Sequence, residues 1–467
     1  MIRETQEIIH TNIDFLPLKS YANIVQGNAL RMEWERVISK ENLSFIMGNP
    51  PFVGYTYQSV MQKDDLSRAT SGLGKNIDYV SGWYYKASQF IENTEIKVAF
   101  VSTNSITQGE QVSALWKILF RQFKIHIDFA HRTFRWDSEA NLKAHVHCVI
   151  IGFSNAKTQK RRKLYDKGTV TCARNINAYL TDAPNVFIEK RANPICPVPK
   201  MVKGSQPTDG GNLILSQEEK ELLLEKYPFT EPLVHRFMGA DEFINDKVRY
   251  CLWLENVPPK KLKSCKPIYD RVEKVREFRE NSKKLSTRKW AEKPAEFTEN
   301  RQPKTEYIIV PSVSSEQRRY IPIGFIQPDI VASNLVLIIP NASLYLFGVL
   351  TSNVHMAWMR TVCGRLEMRY RYSNTIVYNN FPWPSPTLEQ KAKIEQTAQG
   401  ILDARALYPD SSLADLYDPL IMPPELRKAH DRNNAAVMKA YGFPTSMSEA
   451  DCVAVLMKMY QELTEKA

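Results

Sequence analysis

Residues 45–52 read Phe45-Ile46-Met47-Gly48-Asn49-Pro50-Pro51-Phe52, an apolar run that ends in an Asn-Pro-Pro-Phe tetrapeptide. The run predicts a β-strand, which the two prolines then end because neither has an N–H group to donate. Around this segment, helical stretches at 83–92 and 111–120 alternate with strand-like runs at 24–25, 98–102, 125–129 and 146–153. Such alternation predicts an α/β sheet for residues 1–155.

The tetrapeptide offers the groups needed to activate a planar amine, such as the exocyclic amine of adenine. Asn49 supplies a side-chain carbonyl, and Pro50 supplies a main-chain carbonyl that Pro51 keeps in an extended conformation. Two acceptors aimed at the two N–H groups can orient the nitrogen lone pair toward an incoming methyl group. Phe52 offers a flat face for a base flipped out of the duplex. The alternative is an ordinary turn at the end of a strand.

Composition narrows the class of protein. The 467 residues include 62 Lys and Arg against 51 Asp and Glu, a net charge of +11, and 43% are hydrophobic. These values are typical of a globular protein with two or three domains. No apolar run approaches the roughly 20 residues that cross a bilayer, and no secretory signal is visible, so we expect a cytoplasmic protein. Seven scattered cysteines without a C-x-x-C pair argue against disulfides and a zinc site.

The excess positive charge is concentrated in one segment. Residues 260–304 hold 15 basic and 7 acidic side chains, a net charge of +8. This segment is a candidate contact for a polyanion such as DNA. A solvated helix with alternating charges remains the alternative, because its acids and bases recur at spacings that allow ion pairs along one helix.

Residues that interrupt helices and strands divide the remainder of the chain into two regions. Residues 156–384 show short strands interrupted by Pro, Gly and Asn, with one basic helical stretch, and predict a mixed α+β domain. Residues 385–467 predict a helical region with helices at 387–408, 424–441 and 447–465.

Segments along nearly the whole chain resemble one family. Residues 49–52 look like motif IV of DNA amino-methyltransferases that use S-adenosylmethionine. GNALRMEW at 27–34, DYV at 78–80, VSTNSITQG at 101–109, RTFRW at 132–136 and AHVHCVIIGF at 144–153 resemble other segments of such a catalytic domain. PTDGGN at 207–212, PSVSSEQRRYIP at 311–322, GRLEMRYRYS at 364–373 and YNNFPWP at 378–384 resemble the target-recognition domain of type IIL restriction-modification enzymes.

The resemblance implies a γ-class adenine-N6 DNA methyltransferase, which transfers a methyl group from S-adenosylmethionine to a flipped adenine. The fold it implies is part of a class I, Rossmann-like methyltransferase sheet at 1–155, a target-recognition domain at 156–384 and a helical region at 385–467. The family's nuclease region and the Gly-rich cofactor motif, which should lie well before Asn49, are not found in this sequence. We therefore expect double-stranded DNA as one partner, and a second polypeptide that supplies the cofactor-binding strands as a possible other.

Site residues follow from the same resemblance. It implies a cofactor contact for Asn28 and Asp78, although Asp78 could instead cap a helix near Val80 and Asn28 could end a strand. Phe134 and Trp136 are placed near the flipped base, with core packing as the alternative. A further set is expected to contact DNA, namely Arg318, Arg319, Arg365, Glu367, Arg369 and Arg371.

The pair Glu367 and Arg369 is expected to read one base pair. In an extended segment their i,i+2 spacing puts both on one face, where arginine suits guanine and glutamate suits the paired cytosine. The alternative is a surface ion pair between them. Histidines 131, 145 and 147 have no acidic or Cys partner near in sequence, so we expect no metal site.

Three functions remain open at this point. The first is site-specific adenine methylation within a restriction-modification or related defence system, by an incomplete or split chain. The second is a DNA-binding specificity module that has lost catalysis, which the missing cofactor loop favours. The third is a protein-glutamine methyltransferase, because such enzymes also use an Asn-Pro-Pro strand end. The large basic domain favours DNA over protein as the substrate.

Overall fold

The computed structural model describes residues 23–72, 76–136, 146–156 and 161–465. A six-stranded mixed sheet begins the chain, with spatial order β1-β2-β4-β3-β5-β6. Its strands are β1 (Phe45–Gly48), β2 (Lys97–Thr103), β3 (His126–Trp136), β4 (Val146–Ser154), β5 (Arg162–Asp166) and β6 (Thr169–Ala173). The sheet therefore continues beyond residue 155. The α/β pattern predicted for this region is confirmed.

Three helices accompany the sheet, of which α2 and α3 pack on it and α1 packs against α2, and two short 3-10 turns precede β1. The helices are α1 (Val60–Ala69), α2 (Ser81–Phe90) and α3 (Gly109–Arg121), and the 3-10 turns are Trp34–Arg36, Lys40–Asn42 and a third at Asn104–Thr107. Helix α3 buries Val112, Leu115, Trp116 and Leu119, the i, i+3, i+4, i+7 pattern of one apolar face. Its Trp116 lies 5.5 Å from the ring of Tyr84 in α2, which ties both helices to one core.

The strand predicted at Ile24-Val25 is wrong. Both residues are in irregular structure, and the side chain of Ile24 is 89% exposed. Two apolar residues are too few to fix a strand when no neighbouring strand in the described part of the chain offers them a hydrogen-bonding edge.

The middle of the chain is a mixed α+β region of small sheets. Its strands are β7 (Val202–Lys203), β8 (Ile214–Leu215), β9 (Val234–Met238), β10 (Tyr250–Leu252), β11 (Tyr307–Pro311), β12 (Val313–Ser314), β13 (Gly324–Ile326), β14 (Val331–Ala332), β15 (Val336–Pro340), β16 (Gly364–Leu366) and β17 (Arg369–Arg371). Its helices are α4 (Gln217–Lys226), α5 (Ala240–Asn245), α6 (Pro259–Lys263), α7 (Lys266–Glu280), α8 (Leu285–Arg288), α9 (Leu344–Leu350) and α10 (Asn353–Val362). Short 3-10 turns lie at Pro228–Leu233 and Lys289–Glu292, and a π-helical turn lies at Asn374–Tyr378.

Helix α7 forms part of the basic segment at 260–304, and one of its cations is structural. The guanidinium of Arg279 is fully buried and donates to five main-chain carbonyls, those of Pro207, Thr208, Trp290, Lys293 and Glu296. Its donors are thereby satisfied, which a buried charge requires. Arg279 therefore holds two loops onto α7 and cannot reach a phosphate, while Lys274 and Arg276 on the same helix are exposed.

The C-terminal region is helical, as predicted. Helices α11 (Leu388–Ala406), α12 (Leu413–Leu416), α13 (Pro424–Tyr441) and α14 (Glu449–Glu465) follow one another. The three long helices agree with the predicted ones to within two residues. Their apolar faces share one core with the first sheet and with α9 and α10. In the described part of the chain, no helix is both long enough and apolar enough to cross a membrane.

His355 in α10 makes the stability of this core depend on pH. Its ring is fully buried, Nε2 lies 2.8 Å from the Tyr372 hydroxyl, and burial lowers its pKa from 6.5 to about 3. Between these values the unfolded chain takes up a proton that the folded protein does not. The free energy of unfolding therefore decreases as the pH falls through this window.

We predict that urea unfolding reports a loss of about 1.5 kcal/mol between pH 6.5 and pH 5 from this site alone. His355→Gln, which keeps a polar partner for Tyr372, should reduce the pH dependence by that amount. The same change at the partly exposed His235 is the control and should leave the dependence unchanged. Equal pH dependence in all three proteins would contradict the assignment to His355.

Candidate active site and recognition hairpin

The Asn-Pro-Pro-Phe segment leaves the sheet at the carboxyl end of β1. Strand β1 pairs in parallel with β2, with Gly48 opposite Phe100, so both strands end at the same edge. Asn49 is exposed, Pro50 is buried and Phe52 is half-buried. Burial of the Pro50 ring anchors the segment, while the Asn49 carboxamide is accessible from outside.

Asp78 fixes the chain that follows this segment. Its side chain is 5% exposed and accepts hydrogen bonds from the main-chain N–H of Tyr55, at 2.9 Å, and from the Ser105 hydroxyl. The main-chain N–H of Tyr79 also donates to the carbonyl of Val53 at 2.9 Å. Helix α2 begins only at Ser81 and has no side-chain cap, so the alternative role for Asp78 as a cap is wrong. Asp78 instead joins the loop after Phe52 to the loop after β2.

A second buried carboxylate supports the first. Asp65 in α1 is 4% exposed and accepts from the Asn28 amide at 2.9 Å, from the Tyr79 hydroxyl at 2.9 Å and from the Arg31 guanidinium. Burial alone would raise the pKa of Asp65, but the hydrogen bonds from Arg31, Asn28 and Tyr79 lower it below its ordinary value. Burial and the bond to Asp65 raise the pKa of Tyr79 to about 12.

Both polar groups of the Asn28 side chain form hydrogen bonds within the protein. Its amide reaches Asp65, and its side-chain carbonyl accepts from the Leu30 N–H at 3.0 Å. The segment around it is also held from α2, because Lys86 donates to the carbonyls of Leu30, at 2.9 Å, and Met32. A cofactor contact by Asn28 remains a prediction, and the carboxamide would have to share or exchange these partners.

Phe134 and Trp136 lie at the same edge of the sheet as the tetrapeptide. Phe134 is opposite Cys148, which is opposite Thr103 at the carboxyl end of β2. Three strand spacings of about 4.8 Å separate β3 from β1, on the order of 14 Å in all. Phe134 is half-buried, Trp136 is 46% exposed and their rings are 6.2 Å apart. Core packing therefore does not account for Trp136.

A cavity of about 430 Å³ lies beside Phe134, lined also by Arg132 and Tyr165. The ring of His131 stacks on Tyr165 at 4.3 Å, so this histidine packs within the wall. Among the described residues no three His, Cys, Asp or Glu side chains are grouped as metal ligands, and His145 lies outside those residues.

The outer edge of β1 is unpaired in the described part of the chain. Strand β1 is the last described strand of its sheet, and one of its faces is uncovered: Phe45 and Met47 on that face are 62% and 80% accessible, whereas Ile46 on the other face is half-buried. Parallel strands are normally covered on both faces. This edge therefore has the character of an interior strand whose neighbour is not among the described residues.

Glu367 and Arg369 lie in a hairpin rather than in an extended segment. Strands β16 and β17 pair in antiparallel fashion, with Leu366 opposite Arg369, so Glu367 and Met368 form a two-residue turn. Glu367 has a φ of 59°, in the left-handed region that side chains other than glycine, asparagine and aspartate seldom adopt. The expectation of an extended i,i+2 pair is wrong, because the turn itself brings the two side chains together. The Glu367 carboxylate and the Arg369 guanidinium are 3.0 Å apart, and their side chains are 74% and 47% exposed. They form the surface ion pair that was the alternative to base reading.

The other predicted DNA contacts surround this hairpin. Arg371 is exposed on the same face of β17 as Arg369, while Tyr370 between them is buried. Arg365 donates to the carbonyls of Met368, at 3.1 Å, and Arg360, and its guanidinium lies 4.5 Å from the Tyr370 ring. Arg365 thus stiffens the hairpin.

Arg318 and Arg319 follow β12, which pairs with β17. Arg319 is 58% exposed and lies 3.6 Å from Asp431. Arg318 is half-buried, and burial lowers the pKa of its guanidinium below the ordinary value. A cation that is partly desolvated has more to gain from a phosphate than a fully hydrated one.

Sequence reasoning did not find the supporting residues Asp65, Ser105 and Gly109. They act through contacts between segments that are far apart in the chain, and neither their spacing nor their composition marks them. Gly109 closes the quoted segment at 101–109, but only the structure gives it a left-handed φ of 55°.

Comparisons with known proteins agree with this arrangement. Three family models match in succession: the MmeI DNA-methyltransferase domain at residues 1–166, the MmeI target recognition domain at 182–385 and the MmeI C-terminal domain at 387–467. A solved structure of the type IIL restriction-modification enzyme MmeI in complex with DNA has a TM-score of 0.89 and 43% identity, over 99% of this chain and 63% of that one. "DNA methyltransferase A" of Bacillus subtilis (strain 168) is 39% identical over 471 residues, which cover 100% of this chain and 53% of that protein.

The chain therefore consists of a methyltransferase domain, a target-recognition domain and a helical C-terminal domain. It belongs to the MmeI family of type IIL restriction-modification enzymes. The chain spans about half the length of the curated relative that it matches.

Asp65 should contribute strongly to the stability of this site, because it supports the segment that holds Asp78. We predict that Asp65→Leu lowers the free energy of unfolding by about 2 to 3 kcal/mol, because Asn28 and Tyr79 lose their shared acceptor. Asp64→Leu is the matched control, since Asp64 is 45% exposed and bonds only at the surface; it should cost less than about 1 kcal/mol. Equal losses in urea unfolding would show that burial of Asp65 is not decisive.

Proposed function

We propose that this chain forms the catalytic and DNA-reading part of a site-specific DNA methyltransferase that acts on the N6 amine of adenine. The observation that carries the proposal is the placement of the Asn-Pro-Pro-Phe segment at the carboxyl edge of a methyltransferase-family sheet, with the Asn49 carboxamide accessible. MmeI, at 43% identity, was solved in complex with DNA.

Each group in the segment has a task in this proposal. The Asn49 side-chain carbonyl and the Pro50 main-chain carbonyl accept from the two N–H groups of the target amine and orient its lone pair. Phe52 stacks on the base after it leaves the duplex, a contact worth about 1 to 3 kcal/mol that offsets part of the unstacking cost. Phe134 and Trp136, farther along the same edge, cover the base from the side of β3.

S-adenosylmethionine supplies the methyl group when bound. Among the described residues, only part of its pocket is expected at Asn28 and Asp78, and both side chains already have protein partners. We propose that the Gly-rich cofactor segment pairs with the free edge of β1 and covers Phe45 and Met47. The comparisons do not support a separate polypeptide as its source, because both relatives are single chains that extend beyond the matched region.

The hairpin of β16 and β17 is the proposed reader of one base pair. Glu367 and Arg369 project from its turn with complementary charges, and their ion pair can open toward base edges because both side chains are exposed. Arg371, on the same face of β17, and Arg318 and Arg319 in the neighbouring loop are proposed to bind phosphates, which positions the hairpin in the groove.

We predict that the double change Glu367→Lys and Arg369→Asp inverts the preferred orientation of a single G·C pair in the recognised site. The reversal should appear when methylation of duplexes with G·C and C·G at that position is compared. Arg371→Gln is the control and should weaken binding to both duplexes equally. An unchanged preference with uniformly lower affinity would assign the pair to backbone contacts.

The central test of function is Asn49→Ala. In the enzyme assembled with its cofactor segment, we predict that this change abolishes methyl transfer to adenine while the Kd for duplex DNA stays within about threefold, since phosphate contacts dominate affinity. The exposed Asn23 offers a matched control, and Asn23→Ala should leave both values unchanged.

Two outcomes would identify the competing functions. Specific DNA binding by the parent enzyme without any methylation would identify a specificity module that has lost catalysis. Methyl transfer to a peptide glutamine in place of DNA would identify a protein methyltransferase.

A further inference from the structure

The catalytic and target-recognition domains meet where two glycine backbones touch. Gly109 is buried at the first position of α3, with a φ of 55°. A Cβ atom on Gly109 would lie 3.3 Å from the Cα of Gly364 and 3.4 Å from its nitrogen. Gly364 is the first residue of β16, so helix α3 rests against the base of the recognition hairpin.

The space around the two glycines is asymmetric. A Cβ atom on Gly364 would meet no atom within 4 Å, and Gly364 has no positive φ. Only position 109 therefore requires glycine, both for its backbone conformation and for the close approach.

On the catalytic side, Gly109 is linked to the Asn-Pro-Pro-Phe segment by a short path. The 3-10 turn at Asn104–Thr107 immediately precedes the Gln108-Gly109 step, and its Ser105 hydroxyl donates to Asp78. Asp78 in turn accepts from the N–H of Tyr55, three residues after Phe52. The indole N–H of Trp116 donates to the Ile106 carbonyl at 2.8 Å and fixes this turn on α3.

On the recognition side, the path is shorter still. Gly364 pairs with Arg371 and begins the strand that leads, three residues later, to Glu367 at the turn. Two ion pairs hold α3 nearby: Glu110 with Lys190, at 2.7 Å, and Lys117 with Glu189, at 2.5 Å. Sliding of α3 along the hairpin would break these two ion pairs.

From this geometry we propose that the Gly109–Gly364 backbone contact is a positioning contact. It sets the distance between the base pair read at the hairpin turn and the adenine held at residues 49–52. Gly109 and Ser105 are positioning residues that touch neither base. The inference rests on the proposed function and goes beyond it, because it says how reading and methylation are kept in register.

The test compares three glycine variants of the assembled enzyme. Gly109→Ala places a methyl group against the Gly364 backbone and also strains the backbone, because residue 109 has a positive φ. Gly400→Ala, in helix α11 of the C-terminal region, adds a methyl group where there is open space and no positive φ. Gly168→Ala adds strain alone, because Gly168 has a φ of 81° and open space around it. Each variant is assayed for single-turnover methylation, for duplex affinity and for amide hydrogen exchange in the peptide that spans residues 364–371.

We predict that Gly109→Ala slows methylation by roughly 10- to 100-fold, the scale expected when reacting groups are misplaced by about 1 Å. Its Kd for DNA should stay within about threefold. Exchange should accelerate in residues 364–371 and not in the C-terminal helices. Gly400→Ala and Gly168→Ala should resemble the parent in all three measurements. A parent-like rate and parent-like exchange in Gly109→Ala would overturn the proposal, as would an equal loss in Gly168→Ala.

Ser105→Ala provides a second route should Gly109→Ala fail to fold. It adds no atoms and removes the hydroxyl that bonds to Asp78 and to Thr103, so methylation should slow by about fivefold with unchanged DNA affinity. A parent-like rate would overturn the proposal. If the parent does not methylate DNA at all, the proposed function fails, and the exchange measurement on Gly109→Ala still decides whether the two glycines fix the hairpin.

Discussion

The hydrogen bonds to the buried carboxylate of Asp78 are the interaction on which the arrangement of the Asn-Pro-Pro-Phe edge depends. An isolated strand end such as that of β1 does not define where the next residues go, because prolines remove the hydrogen bonds that would fix them. Asp78 replaces those bonds by accepting from Tyr55 and Ser105, which belong to different loops. The Asp65 cluster then keeps the Asp78 segment in place through the Tyr79 hydroxyl. Hydrogen bonds to the two carboxylates thus fix a segment in which the prolines prevent regular secondary structure.

Two of the positive φ angles in the described chain lie where the two domains meet and where the recognition hairpin turns. Gly109 and Glu367 both have positive φ, one at the base of the hairpin and one at its turn. For glutamate this conformation costs on the order of 1 kcal/mol. The hairpin tolerates that cost because Arg365 and Tyr370 brace it from within. A turn that is held by its own strands keeps its shape whichever side chains project from it, which suits a reading element.

Much of the fold could be predicted from the sequence, because many segments show a clear apolar periodicity and are separated by proline-rich breaks. The helices near 388–406, 424–441 and 449–465 have clear apolar faces and proline-rich breaks between them. The strand before Asn49 was also predictable, since an apolar run met two prolines. The hairpin at 364–371 was not, because glutamate at a left-handed turn position contradicts the usual preference for Asn, Asp or Gly. Arg279 was counted with the DNA-facing charges, because five carbonyls contributed by distant loops leave no trace in local sequence.

In the described part of the chain the outer edge of β1 is unpaired, and this has a consequence for the folding of the protein. A row of free main-chain N–H and C=O groups, flanked by Phe45 and Met47, is a template that accepts any strand of suitable shape. A second copy of β1 satisfies that description as well as a cofactor segment does. These two strands compete for the same edge. Pairing with a second copy increases with protein concentration, whereas pairing with a cofactor segment of the same chain does not. Whenever the edge of β1 is left open during folding, self-association through β1 can lead to aggregation, so the edge must be covered faster than two copies meet.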